Sequence, residues 1–203
     1  MKRMYRGSGP KIFPIIVVVI VIALLIAALV TVGRMLFAGN STTQVPQVTS
    51  SIRNEVLDTG TTRGVRYTVR GPIVADEKFR SYQITVTPSS RVYVEYVGYL
   101  EREVRRETFA NNMQAYEQFV YALDKADISV ARDVTGGDDM RGVCATNGYL
   151  YVFETLAGNT ASKTLWTSTC GGSPGSMGAP VARVHALFRN QIPDFTPIFD
   201  KTQ

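Results

Sequence analysis

The hydrophobic pattern divides the chain into one unbroken apolar segment near the N-terminus and a longer region with shorter periodicities. The segment 12–33 contains no charged residue, and Thr31 is its only polar side chain. As a helix, its 22 residues would extend about 33 Å, close to the roughly 30 Å hydrocarbon core of a bilayer. The pattern therefore predicts a single transmembrane helix.

The charges beside this segment predict its orientation. Lys2, Arg3, Arg6 and Lys11 precede it, and Arg34 alone follows closely. Positive residues stay on the cytoplasmic side, so we expect a cytoplasmic tail (1–11) and an exported C-terminal region in the cell envelope. The alternative is a cleaved signal peptide, but its apolar core is usually about 7–15 residues long. The sequence thus favours an uncleaved signal-anchor, while cleavage stays open.

A polar connection follows the apolar segment. Residues 34–50 carry no charge beyond Arg34 and contain few large apolar side chains after Phe37. This composition is typical of a flexible tether. We therefore expect one extracytoplasmic domain over 51–203, long enough to bury a core.

The first half of this domain shows the period of β-strands. Val65–Arg70 and Tyr82–Thr87 alternate apolar and polar positions. Pro88, Ser89 and Ser90 form a turn before the apolar run 91–100, so the pattern predicts a hairpin. The run 101–107 mixes both charges, and we interpret it as an exposed strand end or loop.

Later segments combine helical and strand periods. Apolar residues spaced by three and four positions predict a helix over about 111–125, and the end of the domain predicts another over about 180–190. Residues 149–154 and 163–169 predict a second hairpin, and 128–131 a short strand. The domain is therefore predicted to be α+β, an antiparallel β-sheet packed with two helices.

The charge balance changes once the anchor is set apart. The chain has 22 basic and 17 acidic residues and a net charge of +5. Five basic residues lie at or before Arg34, which leaves 17 basic against 17 acidic in the domain. A neutral domain has no basic surface for a nucleic acid partner. The excess positive charge lies beside the apolar segment, where it sets the orientation of the anchor. The lipid bilayer is the partner that residues 12–33 contact.

Cys144 and Cys170 are the only cysteines. An even number of cysteines in an exported domain predicts a disulfide. If Tyr151 lies near Trp166 in the second hairpin, opposed residue numbers add to about 317, and Cys170 faces residue 147. That register brings the two thiols together at the base of the hairpin.

One motif carries a competing hypothesis. The segment Thr164-Leu165-Trp166-Thr167-Ser168-Thr169-Cys170 resembles the Thr-Leu-x-Thr-Cys signature of sortases, with extra residues before the cysteine. The resemblance implies an exported cysteine transpeptidase or hydrolase using Cys170 with His185, the only histidine. A sortase has its histidine upstream of the cysteine, whereas His185 lies downstream.

A second motif is best explained as a turn. Asp58-Thr59-Gly60 resembles the Asp-Thr-Gly loop of aspartic proteases, whose chemistry requires two neighbouring carboxylates. The polar residues before it do not predict the buried strand that delivers such an aspartate. We therefore expect Asp58 to bind its own backbone in a turn.

Aromatic residues on the predicted strands form the candidate binding face. Tyrosine and arginine are common at protein interfaces and on sugar-binding surfaces. The residues proposed for this face are Arg91, Tyr93, Tyr96, Tyr99, Tyr149, Tyr151 and Trp166. The sequence predicts no catalytic residues, no metal and no cofactor. It favours a binding or structural role with an envelope protein or glycan partner.

Overall fold

The computed structural model describes residues 47–133 and 139–197, with side chains from residue 51 onward. These residues form a six-stranded antiparallel sheet and three α-helices. The predicted α+β class with an antiparallel sheet is confirmed. Within the described ranges, none of the helices has the length and apolar composition needed to cross a bilayer. The predicted cytoplasmic tail and transmembrane segment lie outside those ranges.

The helices and strands have the following bounds along the chain. The helices are α1 (Gln47–Val56), α2 (Met113–Lys125) and α3 (Val181–Arg189), with a short 3-10 helix at Asp76–Lys78. The strands are β1 (Arg63–Arg70), β2 (Arg80–Val86), β3 (Ser90–Val97), β4 (Arg102–Ala110), β5 (Leu150–Ala157) and β6 (Thr160–Ser168). Their order in the sheet is β4-β3-β2-β1-β5-β6, so β4 and β6 are the edges.

Three local predictions are corrected. The sequence predicted two helices, but α1 is a third that begins at Gln47, within the segment assigned to the tether. The run 101–107 falls largely in β4, whose charged side chains are tolerated because an edge strand is exposed to solvent. The predicted strand at 128–131 is a turn with one isolated bridge from Ala131 to Met177, since a strand needs a continuous partner.

The helices cover one face of the sheet, which we call the inner face. Val65 and Tyr67 of β1, Ile84 of β2 and Phe153 of β5 pack there against Phe188 of α3 and its neighbours. The residues between them in sequence point to the opposite, outer face because strand side chains alternate. A smaller apolar cluster forms on the outer face around Leu150, Val152 and Trp166. The inner face therefore holds the main core.

The β6 edge is closed by the loop that leads to α3. Met177 N donates to Trp166 O at 2.8 Å, and Ser176 Oγ accepts from Trp166 N at 3.1 Å. Gly175 has φ of +68°, and a Cβ there would overlap the Trp166 backbone oxygen. A glycine is therefore required where the loop approaches the strand. This loop positions the start of α3 over the inner face.

Candidate binding site

A lateral row of polar side chains crosses the inner face of the sheet. In the strand register, Glu95 of β3 lies opposite Tyr82 of β2, which lies opposite Val69 of β1, and Val69 lies opposite Tyr151 of β5. Opposed residues of an antiparallel sheet point to the same face. The sheet thus places a carboxylate and two phenols in one line on the inner face.

The middle of this row forms the floor of a cavity of about 170 Å³ beneath α3. The segment after α3 returns across the sheet and completes the walls. We call this space the His185 cavity, and its lining residues are Val69, Tyr82, Tyr149, Tyr151, His185, Arg189, Phe195 and Pro197. It therefore joins three strands, one helix and the C-terminal segment.

His185 connects the helix to the floor of the cavity. Its Nε2 lies 2.7 Å from Tyr82 Oη, and the two groups share one hydrogen bond whose donor depends on the imidazole tautomer. The imidazole ring also lies 6.0 Å from the Tyr67 ring and 5.9 Å from the Tyr151 ring. His185 is half-buried. Its aromatic contacts lie on the side that faces the sheet.

Arg189 supplies the positive charge at this site. It follows His185 by four residues on α3, and this spacing puts both side chains on the same side of the helix. Its guanidinium carbon lies 5.2 Å from the centroid of the Phe195 ring. Among the described residues no ion pair includes Arg189, and no acidic side chain lines the cavity.

Tyr67 lies behind His185 and is fully buried. Its Oη has no hydrogen-bond partner among the described residues. Burial raises the pKa of Tyr67 well above its ordinary value, and Tyr82 and Tyr151 raise it further. Most buried polar atoms in proteins have a partner. Within the described ranges, this hydroxyl is therefore the one polar atom of the aromatic cluster around His185 that is buried without a hydrogen-bond partner.

A second polar cluster holds the segment after α3 in place. Tyr93 Oη donates to Glu95 Oε1 at 2.6 Å, and Arg105 lies 3.6 Å from the same oxygen. Burial and the Glu95 carboxylate raise the pKa of Tyr93. Arg105 also donates to Thr196 O at 3.2 Å, and the Phe195 ring packs 5.3 Å from the Tyr93 ring. Glu95 and Arg105 thus position the wall that Phe195 provides.

The cysteines form the predicted disulfide. Cys144 and Cys170 are bonded, with Cα atoms 5.4 Å apart. Gly148 lies close to the bond: a Cβ there would be 2.5 Å from Thr169 Oγ1 and 2.8 Å from Cys170 Sγ. The sulfur of Cys170 is therefore not a free thiol. The imidazole of His185 shares a hydrogen bond with Tyr82.

The seven residues of the candidate binding face do not share one surface. Tyr149 and Tyr151 line the His185 cavity, while Tyr93 is buried beside it. Arg91 donates to the backbone oxygens of Ala110 and Gln191. Three others lie elsewhere: Tyr96 and Trp166 belong to the outer face, and Tyr99 stacks on Phe79 at the end of the sheet. Side-chain alternation separates Tyr93 from Tyr96.

The Asp58 turn forms as the sequence predicts. Gly60 N donates to Asp58 Oδ1 at 3.0 Å, and Arg63 Nε donates to Asp58 Oδ2 at 2.7 Å. Asp58 therefore orders the connection from α1 to β1. This side chain lies outside the His185 cavity.

The one functional role that the sequence suggests for His185 is as a partner for Cys170, and the sequence does not mark Tyr67, Tyr82 or Arg189 as site residues. Two signals were present: the four-residue spacing of His185 and Arg189, and the two-residue spacing of Tyr149 and Tyr151. No protein-family model and no curated protein matches the chain. Function is therefore inferred from the chemistry of the His185 cavity.

Proposed function

We propose that this protein is anchored in the membrane through residues 12–33 and that its exported domain binds another component of the cell envelope. The His185 cavity is the binding site in this proposal. The observation that carries it is the composition of the cavity wall, where tyrosine rings, a histidine and an arginine surround one concave space. Concave sites of this kind, with aromatic walls and a few polar groups, are typical of small-ligand binding.

Two features support a role outside the cytoplasm. The disulfide between Cys144 and Cys170 is typical of oxidising compartments. The basic residues before the apolar segment favour export of the C-terminal part. A binding module held by a tether at the membrane surface accounts for both features.

The alternative proposal is an exported cysteine transpeptidase or hydrolase of the sortase type. Such an enzyme needs a thiolate nucleophile, and Cys170 supplies one only after its bond to Cys144 is reduced. Alkylation of the protein as isolated from cells, without reductant, distinguishes the two proposals. Modification of Cys170 would favour the enzyme.

Site-specific photo-crosslinking in intact cells tests the binding proposal. Replacing Tyr149, which lines the cavity, with a photoreactive benzoyl-phenylalanine keeps an aromatic ring in the wall. Tyr121 on α2 is the matched control because it is an exposed tyrosine away from the cavity. We expect a discrete adduct from position 149 and none from 121. Equal labelling from both positions, or none from either, would count against the proposal.

A further inference from the structure

We propose that the His185 cavity recognises a carboxylate on a small apolar or aromatic group, an inference that rests on the binding function proposed above. The wall offers one guanidinium, one imidazole and three phenol hydroxyls, and no acidic side chain lines it within the described chain. A ligand rich in hydrogen-bond acceptors complements this set.

Charge is the first argument for a carboxylate. Arg189 is exposed at the mouth of the cavity, and its planar guanidinium can hold both oxygens of a carboxylate. The described contact of Arg189 is between its guanidinium and the Phe195 ring. A contact with the face of a ring does not occupy the N–H donors of the guanidinium. A neutral ligand would not use the charge of this side chain.

Hydroxyl donors in the wall are the second argument. The three tyrosines that line the cavity are Tyr82, Tyr149 and Tyr151. A phenol hydroxyl donates to a carboxylate oxygen, so these side chains add hydrogen-bond donors to the charge of Arg189. Tyr67, whose hydroxyl has no partner within the described residues, lies behind this wall and does not line the cavity.

The shape and apolar walls limit the rest of the ligand. Val69, Phe195 and Pro197 provide apolar surface around a volume of about 170 Å³. This space suits one ring or a short aliphatic group attached to the carboxylate. Two sources have this chemistry: a free small acid, and the C-terminal carboxylate of a peptide that ends in an apolar residue.

Direct titration of the full chain in nanodiscs tests the carboxylate. His185 is the only histidine, so labelling histidine with ¹³C gives one imidazole signal at the site. We expect benzoate to shift this signal in a saturable way at neutral pH. Benzamide has the same ring without the charge, and we expect it to bind about tenfold to a hundredfold more weakly.

Variants assign the interaction to particular side chains. Arg189→Gln should weaken benzoate binding about tenfold or more, whereas Arg183→Gln, a matched change on the same helix outside the cavity, should leave it unchanged. Tyr151→Phe removes only one hydroxyl from the cavity wall and should also weaken binding. A peptide ending in phenylalanine, with a free or an amidated C-terminus, identifies the source: tighter binding than benzoate indicates a chain end.

Saturable benzoate binding by the full chain supports the inference. No binding, or equal affinity for benzoate and benzamide, overturns it. If these probes fail while crosslinking at position 149 still captures a partner, the ligand class is wrong but the binding function stands.

Discussion

Two buried tyrosines on the inner face have opposite hydrogen-bonding states. Tyr67 Oη has no partner within the described residues, whereas Tyr93 Oη donates to the buried carboxylate of Glu95 at 2.6 Å. A hydrogen bond to a charged group contributes about 1.5–3 kcal/mol, while an unsatisfied buried hydroxyl contributes nothing favourable. The two hydroxyls therefore differ in what they do for stability.

Removing each hydroxyl tests this difference. We expect Tyr67→Phe to leave the free energy of unfolding unchanged or to raise it slightly, because no hydrogen bond is lost. Tyr93→Phe should lower it by about 1–3 kcal/mol, because Glu95 loses its donor. Urea unfolding of the two variants measures both values. A loss in Tyr67→Phe as large as in Tyr93→Phe would show that Tyr67 is bonded in solution.

Gly148 and Gly158 offer a second matched pair at the residue scale. Both have positive φ, at +125° and +62°. A side chain at Gly148 would press against Thr169 and Cys170, whereas nothing lies within 4 Å of a side chain at Gly158. Gly158→Ala should therefore cost about 1 kcal/mol, from backbone strain alone.

We expect Gly148→Ala to cost about 3 kcal/mol, because backbone strain and overlap with the disulfide add together. Thermal unfolding of both variants gives the comparison. Equal melting temperatures for the two alanine variants would contradict the packing of Gly148 against the disulfide.

At the scale of elements, the pairing of α1 with α2 includes one ion pair between distant parts of the chain. Arg53 of α1 donates to Asp124 near the end of α2, with N–O distances of 2.8 and 3.0 Å. The hydrogen bond to Arg53 lowers the pKa of Asp124. Asp124 also lies near the C-terminal end of α2, where a negative charge interacts unfavourably with the helix dipole. The positive charge of Arg53 offsets this unfavourable interaction.

This pair predicts a pH dependence with a definite sign. Because the folded pKa of Asp124 lies below its unfolded value, its stabilisation is present above the unfolded pKa. It is lost as pH falls through the folded pKa. Asp124→Asn should therefore lower stability slightly near neutral pH, as expected for a partly exposed pair. Chemical unfolding at several pH values should show the difference shrinking as pH falls below the unfolded aspartate pKa of about 3.9. A difference that does not shrink on acidification would contradict the assignment.

Most strands could be predicted from sequence by their apolar patterns. β1 and β2 show apolar positions at a spacing of two, and β3 and β5 carry apolar or aromatic runs on both faces. β4 could not be recognised in this way, since its inner-face positions include Arg105 and Glu107. An edge strand can carry such charges, and only the pairing with β3 reveals it.

The register of the second hairpin shows a different limit. Opposed residues near its turn, such as Ala157 and Thr160, add to 317 as the sequence suggested. A bulge at Thr155–Leu156 then shifts the pairing by one, so Val152 faces Trp166 and Tyr151 faces Thr167. A bulge inserts one unpaired residue without a fixed sequence signal. The disulfide was predictable despite this shift because both registers bring the cysteines close.

The candidate site was harder to predict than the fold, because it depends on which elements meet in space. Tyr82, Tyr151 and His185 lie on three elements that are distant in sequence, and only the sheet order brings them together. Spacing within α3 relates His185 to Arg189, but it does not say which strands lie below. Tertiary topology supplies that information.

For the whole molecule, the disulfide links the loop before β5 to the end of β6. The bonded cysteines are 26 residues apart, and a loop of that length predicts about 3.5 kcal/mol of stabilisation on the chain-entropy estimate. Cys144→Ser combined with Cys170→Ser should lose roughly this amount in urea unfolding. A double variant as stable as the parent would show that the bond does not constrain the chain.

The same bond gives a prediction about location. Protein isolated from cells under alkylating conditions should show no modified cysteine before reduction and two afterwards. Export to an oxidising compartment accounts for this result. Quantitative alkylation before reduction would contradict the proposed location and would favour the enzyme hypothesis.

The central claim is that envelope material binds in the His185 cavity, and the single imidazole signal tests it most directly. Solubilised envelope fractions should be added to the ¹³C-histidine-labelled full chain and to its Arg189→Gln and Arg183→Gln variants. We predict that one fraction shifts the His185 signal in the parent and in Arg183→Gln, and shifts it much less in Arg189→Gln. A signal that stays unchanged in every fraction, or shifts equally in all three proteins, would contradict the claim.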